Sequence, residues 1–300
     1  MFRIRINAFV SLLILLLLPP PSATAQEIGT LTYLEGTLRV IRGTTVWEGV
    51  EGVRLRQGDI IENSAPGFAQ LEFVGGTVVA LGDSGRLFLF NHPRSKAEDK
   101  AGAALLVLLS GWLKGETAAN GEYRYASPLL AATTKGGTVV MHSTPQAAEI
   151  FIESGSASIA QVSPSGTWGH SAGGEAGQFF SRHDGKSLTD YPKPPRTFID
   201  LVPRPFHDTL PPLLSRFAKP TGLKRDHEVT YPEIESWLSI GQRWREGFVE
   251  RFQPRLKDVE FRKAVEGHLN NHPEWDSVLH PEKHSPTPVP AHDTDRPHGR

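Results

Sequence analysis

Several stretches of the chain carry residue types that could do chemistry. Gly82-Asp83-Ser84-Gly85 sets a serine between glycines. In the serine-protease order that uses such a loop, a His and an Asp come before the Ser. Here the first His is His92, after it, and no Gly-x-Ser-x-Gly elbow exists. The tetrapeptide therefore reads as a turn between strands. His268 and His272 are four residues apart, a spacing that a helix puts on one face. Zinc enzymes that use such a pair carry a Glu between the two His. Here Leu269-Asn270-Asn271 intervene, Asn271 has the character of a cap, and Pro273 follows at once. His280, His284, His292 and His298 lie in a polar tail without the fixed geometry of a metal site. Glu98-Asp99, Glu233 with Glu235, and Asp293 with Asp295 are acidic pairs. Residues two apart on a helix do not face one another, so none forms a converging pair by spacing alone. Gly173-Gly174-Glu175-Ala176-Gly177 is not followed by a helical run and reads as a turn rather than a phosphate cradle. No cysteine is present, which excludes disulfides, thiolate catalysis and Cys-ligated metals. The sequence thus offers no catalytic, cofactor-binding or metal-ligating residue, and the chain reads as a non-enzyme.

The elements that would position any site are mostly strands. The 300 residues are 38% hydrophobic, enough for a real core, with 29 Gly and 24 Pro that favour turns over long helices. From Gly29 to about Ser181, short apolar alternations recur between Gly-rich separators. Candidate strands are Leu31–Leu34, Thr37–Arg42, Asp59–Ile61, Phe68–Val74, Thr77–Leu81 and Arg86–Phe90. Further along come Leu105–Leu109, Trp112-Leu113, Glu122–Ala126, Leu129–Thr133, Thr138–Met141, Ala148–Ile152, Ala157–Val162 and Gln178–Phe180. In Phe68–Val74, Ala69, Leu71 and Phe73 share an apolar face; Phe68, Gln70, Glu72 and Val74 share the other. Gly75-Gly76 between two alternating runs marks a hairpin. The expected fold is mainly β, an antiparallel sandwich or roll of short strands, with a C-terminal α-helical segment.

The β region is expected to span residues 26–190 and to resist proteolysis as a unit. Residues 191–205 carry Pro192, Pro194, Pro195, Pro203 and Pro205 and read as an extended linker. Residues 206–280 change to helical spacing. Leu210, Leu213, Leu214 and Phe217 suggest one helix. Thr230-Tyr231-Pro232-Glu233 has the form of a capping box ahead of Ile234, Trp237 and Leu238. Ile240, Trp244, Phe248 and Phe252 step by four until Pro254, and Asp258 can cap a helix carrying Phe261, Val265 and Leu269. A last turn runs from Trp275 to Leu279. The stripe Trp237, Trp244, Phe248 and Phe252 reads as core rather than as an exposed partner ridge. Residues 281–300 are nearly devoid of apolar side chains and read as a disordered tail.

The chain opens with Arg3 and Arg5, an apolar run from Ala8 to Leu18, three prolines, and Ala23-Thr24-Ala25. A basic start, a short apolar core and a small-x-small site make residues 1–25 a signal peptide, with a mature start near Gln26. The run is too short to span a bilayer, and Ala101–Leu109 is shorter still, so the protein is not expected to cross the membrane. A net charge of -1 offers no field for nucleic acid.

One resemblance follows from the strand region. Leu55-Arg56-Gln57-Gly58-Asp59-Ile60-Ile61, then Phe68–Phe73, then Gly76-Thr77-Val78-Val79-Ala80-Leu81, resembles the FecR domain. Ser84 and Leu87 stand near that family's Ser-x-Leu strand with one extra spacer. A second round appears at Gly137-Thr138-Val139-Val140 and Ile152–Ala157, so the likeness runs from about Gly29 to Ser158. The resemblance implies an extracytoplasmic, non-enzymatic β module that binds an envelope protein and takes no cofactor, with a periplasmic location. The family's sigma-binding helical segment and transmembrane helix have no counterpart in this sequence, so the resemblance implies the binding module and not sigma-factor capture. The alternative class left open by the residues is a periplasmic cell-wall glycan hydrolase or glycan-binding protein.

Overall fold

The computed structural model describes residues 26–90 and 105–284; residues 1–25, expected to be a signal peptide, His92, Glu98-Asp99, and residues 285–300 lie outside them. The protein is mostly antiparallel β, 47% strand in one curled sheet, with a few C-terminal helices. Strands β1 to β8 are Glu27–Glu35, Leu38–Arg42, Thr45–Gly49, Arg54–Arg56, Ile60–Asn63, Phe68–Phe73, Val78–Leu81 and Arg86–Phe90. Strands β9 to β15 are Leu105–Ala126, Leu130–Ser143, Ala147–Ser154, Ser156–Val162, Trp168–Glu175, Phe179–His183 and Thr189–Tyr191; β16 is Lys224–Glu228. Helices α1 to α6 are Arg196–Leu201, Tyr231–Leu238, Phe248–Phe252, Val259–Gly267, Asp276–Leu279 and Pro281–His284.

The curl is organised by β9. Its start pairs with β8, its middle with β7, and most of its length with β10. Two wings, β8-β5-β2-β3 and β7-β6-β1-β4, therefore diverge from one strand and close over a shared interior. Gly111 makes the handover possible. Its φ is +88°, and a Cβ there would meet the Gly85 backbone at 2.7 Å. Leu31, Val40, Ile61, Leu71, Val79, Leu87 and Leu113 meet inside the curl. The alternate face of β6 behaves as its sequence suggests on one side only. Ala69, Leu71 and Phe73 enter this core, but Gln70 and Glu72 are buried too.

The outer face explains why. In Arg86-Leu87-Phe88-Leu89-Phe90, Leu87 and Leu89 point inward, whereas Phe88 and Phe90 face a second core with Ile41, Ile60 and Val107. A strand apolar on both faces must be covered on both. Helices α2 to α5 and the irregular chain between them supply one cover: Trp237, Trp244, Phe248, Phe252, Phe261 and Trp275 are all buried against that face. A second cover lies over β7, β9, β10 and β14, where Phe198, Phe206 and Leu210 pack on Ala80, Trp112, Val140 and Phe179.

Several expectations are revised by this arrangement. The segment 191–205 is not an extended spacer. Pro194 and Pro195 lead directly into α1, positions where a missing N–H costs nothing, and Phe198 anchors that helix on the sheet. Leu210 to Phe217 form no single helix; Leu210 and Leu213 are buried in an irregular strap with one 3-10 turn at Leu214–Arg216. The aromatic stripe is core, but it does not run along one helix. Chain irregularity from Ser239 to Gly247 separates α2 from α3, with Gly247 in the left-handed region. Gly173 and Gly174 are not a turn but lie within β13, where a Cβ on Gly174 would strike the Phe180 ring at 2.7 Å. The strands are not uniformly short, because Trp112-Leu113 and Glu122–Ala126 are pieces of the 22-residue β9. Strands β3, β4, β13, β15 and β16 have no counterpart among the expected strands, and residues 281–284 form a helical turn. The β6–β7 hairpin at Gly75-Gly76, the capping box of α2 and the Asp258 cap of α4 are as expected. Among the described residues, no helix is long and apolar enough to cross a membrane.

Trp244 is fully buried and meets Phe90 edge-on at 5.4 Å. Trp244→Ala is expected to destabilise the protein by about 3–5 kcal/mol, the usual cost of emptying a large aromatic site. A denaturant melt followed by a probe of the sheet checks this; a change under about 1 kcal/mol would show that the helical cover is dispensable to the sheet.

Candidate functional site

A cleft lies where the outer face of β2, β5 and β8 meets the N-terminus of α2. It encloses ≈ 430 Å³ and is bordered by Thr37, Arg39, Glu62, Asn63, Arg86 and Glu233. Strand register builds its floor. Arg39 lies opposite Glu62, and Glu62 lies opposite Arg86, so a cation, an anion and a cation stand in one row across three strands. Opposite charges directly across a ladder stabilise it.

Glu62 is the centre of that row and is only 7% exposed. Its carboxylate accepts from Arg39 Nη2 at 2.7 Å, Arg86 Nε at 2.8 Å and Trp237 Nε1 at 3.2 Å. The Arg86 guanidinium also donates to the Ser236 hydroxyl and lies over the Trp237 ring at 5.4 Å. Arg39 spans to the helix by donating through Nη1 to Glu233 at 2.8 Å. Glu233 is at the same time the N3 residue of the capping box, accepting from the Thr230 N–H and hydroxyl, both at 2.8 Å. His227 Nε2 of β16 lies 3.0 Å from the same carboxylate. One acidic side chain thus joins β2, β16 and α2.

The electrostatics follow from these bonds. Burial opposes charge on Glu233, but the Thr230 donors and His227 outweigh it and hold its pKa below the usual carboxylate range. Burial likewise opposes charge on His227, but its bonds to Asp226 and Glu233 prevail and raise its pKa. A general acid needs a carboxyl held protonated near neutral pH. Here Glu62 and Glu233 share one arginine, and Glu233 is driven toward ionisation. The arrangement holds charge in fixed pairs: Arg39 is committed to Glu62 and Glu233, and the Ser64 hydroxyl accepts from the Thr37 N–H and donates to the Pro66 carbonyl. Asn63 donates to the carbonyls of Leu81 and Gly82 while its buried Oδ1 has no donor among the described residues.

The residues singled out by sequence are dispersed. Ser84 borders this cleft in the turn after β7, with φ +51°. His272 is buried in the helical layer, its Nε2 3.0 Å from the Tyr231 hydroxyl; burial lowers its pKa and pushes Tyr231 up to about 12. His268 stacks on Tyr231 and lies near Glu235, and no cluster of metal-ligating side chains occurs among the described residues. His280 and His284 pair with Asp276. Glu233 enters the cleft while Glu235 does not line it. Asp293, Asp295, His292 and His298 lie outside the described residues. Arg39, Glu62 and Arg86 carry no sequence motif; only a carboxylate inside Ile60-Ile61-Glu62, flanked by cationic outward positions on two other strands, hints at them.

No protein family matches the chain, and no curated protein does. Two crystal structures of a "putative anti-sigma factor" from Parabacteroides distasonis are similar to part of it. Each is 9% identical with a TM-score of 0.36, and the likeness covers 45% of this chain and 59% of that one. The chain thus spans less than two thirds of that protein.

The His227–Glu233 contact gives a pH dependence with a definite sign. A raised His pKa contributes stability present at low pH and lost as pH rises through the folded-state value; a lowered Glu pKa contributes stability lost as pH falls through its folded-state value. The contact is therefore strongest in the mildly acidic window between them. The melting-temperature gap between the native chain and His227→Gln is expected to be larger at about pH 5.5 than at about pH 8.5. Equal gaps at both values would remove the proton-linked contact.

Proposed function

We propose that this chain is an exported, non-catalytic FecR-like module that binds a protein partner in the cell envelope. The observation that carries the non-catalytic reading is the pairing of both cleft carboxylates with one guanidinium, Arg39. A buried, fully paired acid is a structural brace, since freeing it for proton transfer would strand the arginines. Support for the FecR-like reading comes from what the motif residues do. Gly58 has φ +87°, and the buried Asp59 carboxylate accepts from the Arg56 N–H and from Arg42 Nε and Nη2 at 2.7–2.9 Å. Gly75 and Gly76 both have positive φ in the β6–β7 connection. The Gly-Asp and Gly-Thr pattern is thus a turn-forming code that shapes a β module and needs no reaction to account for it. The N-terminal basic, apolar and small-residue pattern supports export and a periplasmic location.

The experiment is cross-linking of the tagged full chain in native cells, followed by recovery from the envelope fraction. The expected result is a mature chain beginning at Gln26 with one reproducible protein partner. A zymogram on peptidoglycan is expected to stay blank. Clearing by the folded chain that is lost in Glu62→Gln would overturn the non-catalytic reading in favour of a glycan hydrolase. A chain recovered only from the cytoplasm with residues 1–25 intact would overturn export.

A further inference from the structure

A second cleft, separate from the Glu62 row, lies beside the Gly58-Asp59 turn. It encloses ≈ 240 Å³ and is lined by Arg42, Arg56 and Arg251 together with Gly43, Gly58 and Asp59. Three cations face a single carboxylate, and that carboxylate is already spent. Asp59 takes Arg42 in a bidentate pair and caps the Arg56 N–H.

The donors can be accounted for one by one, since a guanidinium carries five N–H groups. Arg251, on α3, gives three of its own to the backbone carbonyls of Gly43, Gly58 and Ile41, at 2.9, 2.7 and 2.8 Å. These bonds stitch α3 to the β2–β3 turn and the β4–β5 turn and fix the guanidinium in place. Its plane also lies over Phe252 at 4.7 Å. It has no ion pair among the described residues, and two of its N–H groups remain. Arg42 gives three to Asp59 and the Arg54 carbonyl, and its second Nη remains. Arg56 approaches Glu27 only at 3.6 Å, and its Nε is buried with no acceptor among the described residues. A buried, unused donor on a cation is costly to leave unmade, and here it sits beside two further cations with donors to spare.

We propose that this cleft binds a phosphate-type oxyanion, free or as a terminal monoester. Three arginines set against Asp59, and against the half-exposed Glu27 at 3.6 Å from Arg56, leave the cleft net positive with N–H groups to spare, which suits an anionic group that carries one to two negative charges near neutral pH. Its oxygens accept from several N–H groups at once, the geometry that arginine serves better than lysine. A carboxylate would offer only two oxygens to the three arginines, whereas a phosphate group offers three or more. The site depends neither on the protein partner nor on the Arg39 cleft, so it stands apart from the proposed function.

The test is calorimetric titration of the mature chain with inorganic phosphate in a low-salt, phosphate-free buffer. Glycerol 3-phosphate and acetate are titrated in parallel. The expected result is saturable binding of one phosphate per chain, at least about tenfold tighter than acetate. Arg56→Gln is expected to weaken phosphate binding about tenfold or more while leaving the unliganded melting temperature close to native, since this side chain is partly exposed. Arg39→Gln, at the other cleft, is expected to leave phosphate affinity unchanged. Glycerol 3-phosphate binding as well as phosphate identifies a terminal monoester as a fitting source; binding of phosphate alone identifies the free ion. Absence of saturable phosphate binding, acetate binding as tightly, or Arg56→Gln binding as tightly as native would each overturn the proposal.

Discussion

The constraint on which this structure rests is a sheet that is apolar on both faces. One face of β2, β5, β8 and β9 closes on itself inside the curl, where Leu31, Ile61, Leu87 and Leu113 are sealed from solvent. The other presents Ile41, Ile60, Phe88, Phe90 and Val107, which the C-terminal segment covers. Each large apolar side chain left wet forfeits roughly 1.5–3 kcal/mol. The C-terminal segment is the answer to that cost. Its aromatic residues form the second layer of the fold, and its own short helices could not stand alone in water.

A cover made of short helices and irregular chain has backbone groups that no helix or ladder satisfies. The sheet supplies their partners from polar side chains on its outer face. Lys114, 1% exposed, donates to the carbonyls of Phe206 and Asp208 and pairs with Glu153 at 3.0 Å. Glu72 accepts the N–H groups of Leu213 and Leu214, Gln70 donates to the Pro211 carbonyl, and Glu116 accepts from Leu210. Arg251 reverses the direction, reaching from the helical layer to three sheet carbonyls. Both clefts arise at the margins of this cover, where apolar packing ends and charge takes over: Arg39, Glu62 and Arg86 at the start of α2, and Arg42, Arg56 and Arg251 beside α3. Both clefts are thus by-products of how the second layer is fastened.

This division also explains what could be read from sequence. The Gly75-Gly76 hairpin, the Thr230 capping box and the Asp258 cap are set by neighbours within a few residues, and all appear where their local chemistry places them. The buried aromatics Trp237, Trp244, Phe248 and Phe252 are legible because their bulk demands burial whatever helix carries them. What failed is non-local. Gln70 and Glu72 look solvent-facing because alternation cannot show a strap arriving from 141 residues away. Gly173-Gly174 looks like a turn, yet it lies within β13, where the Phe180 ring fills the space a side chain on Gly174 would take. The row Arg39, Glu62, Arg86 exists only through the register of three strands, and periodicity carries no register between strands.

Residues beyond Asp190 are a structural layer of the sheet rather than an appendage to it. The most direct test is a thermal melt, with dye binding to exposed apolar surface, of the truncated chain Gln26–Asp190 against Gln26–His284. A cooperative melt is expected for the longer chain, and dye binding, aggregation or melting without cooperativity for the truncated one. A truncated chain that is soluble, dye-free and cooperative, with a melting temperature within a few degrees of the longer one, would contradict it.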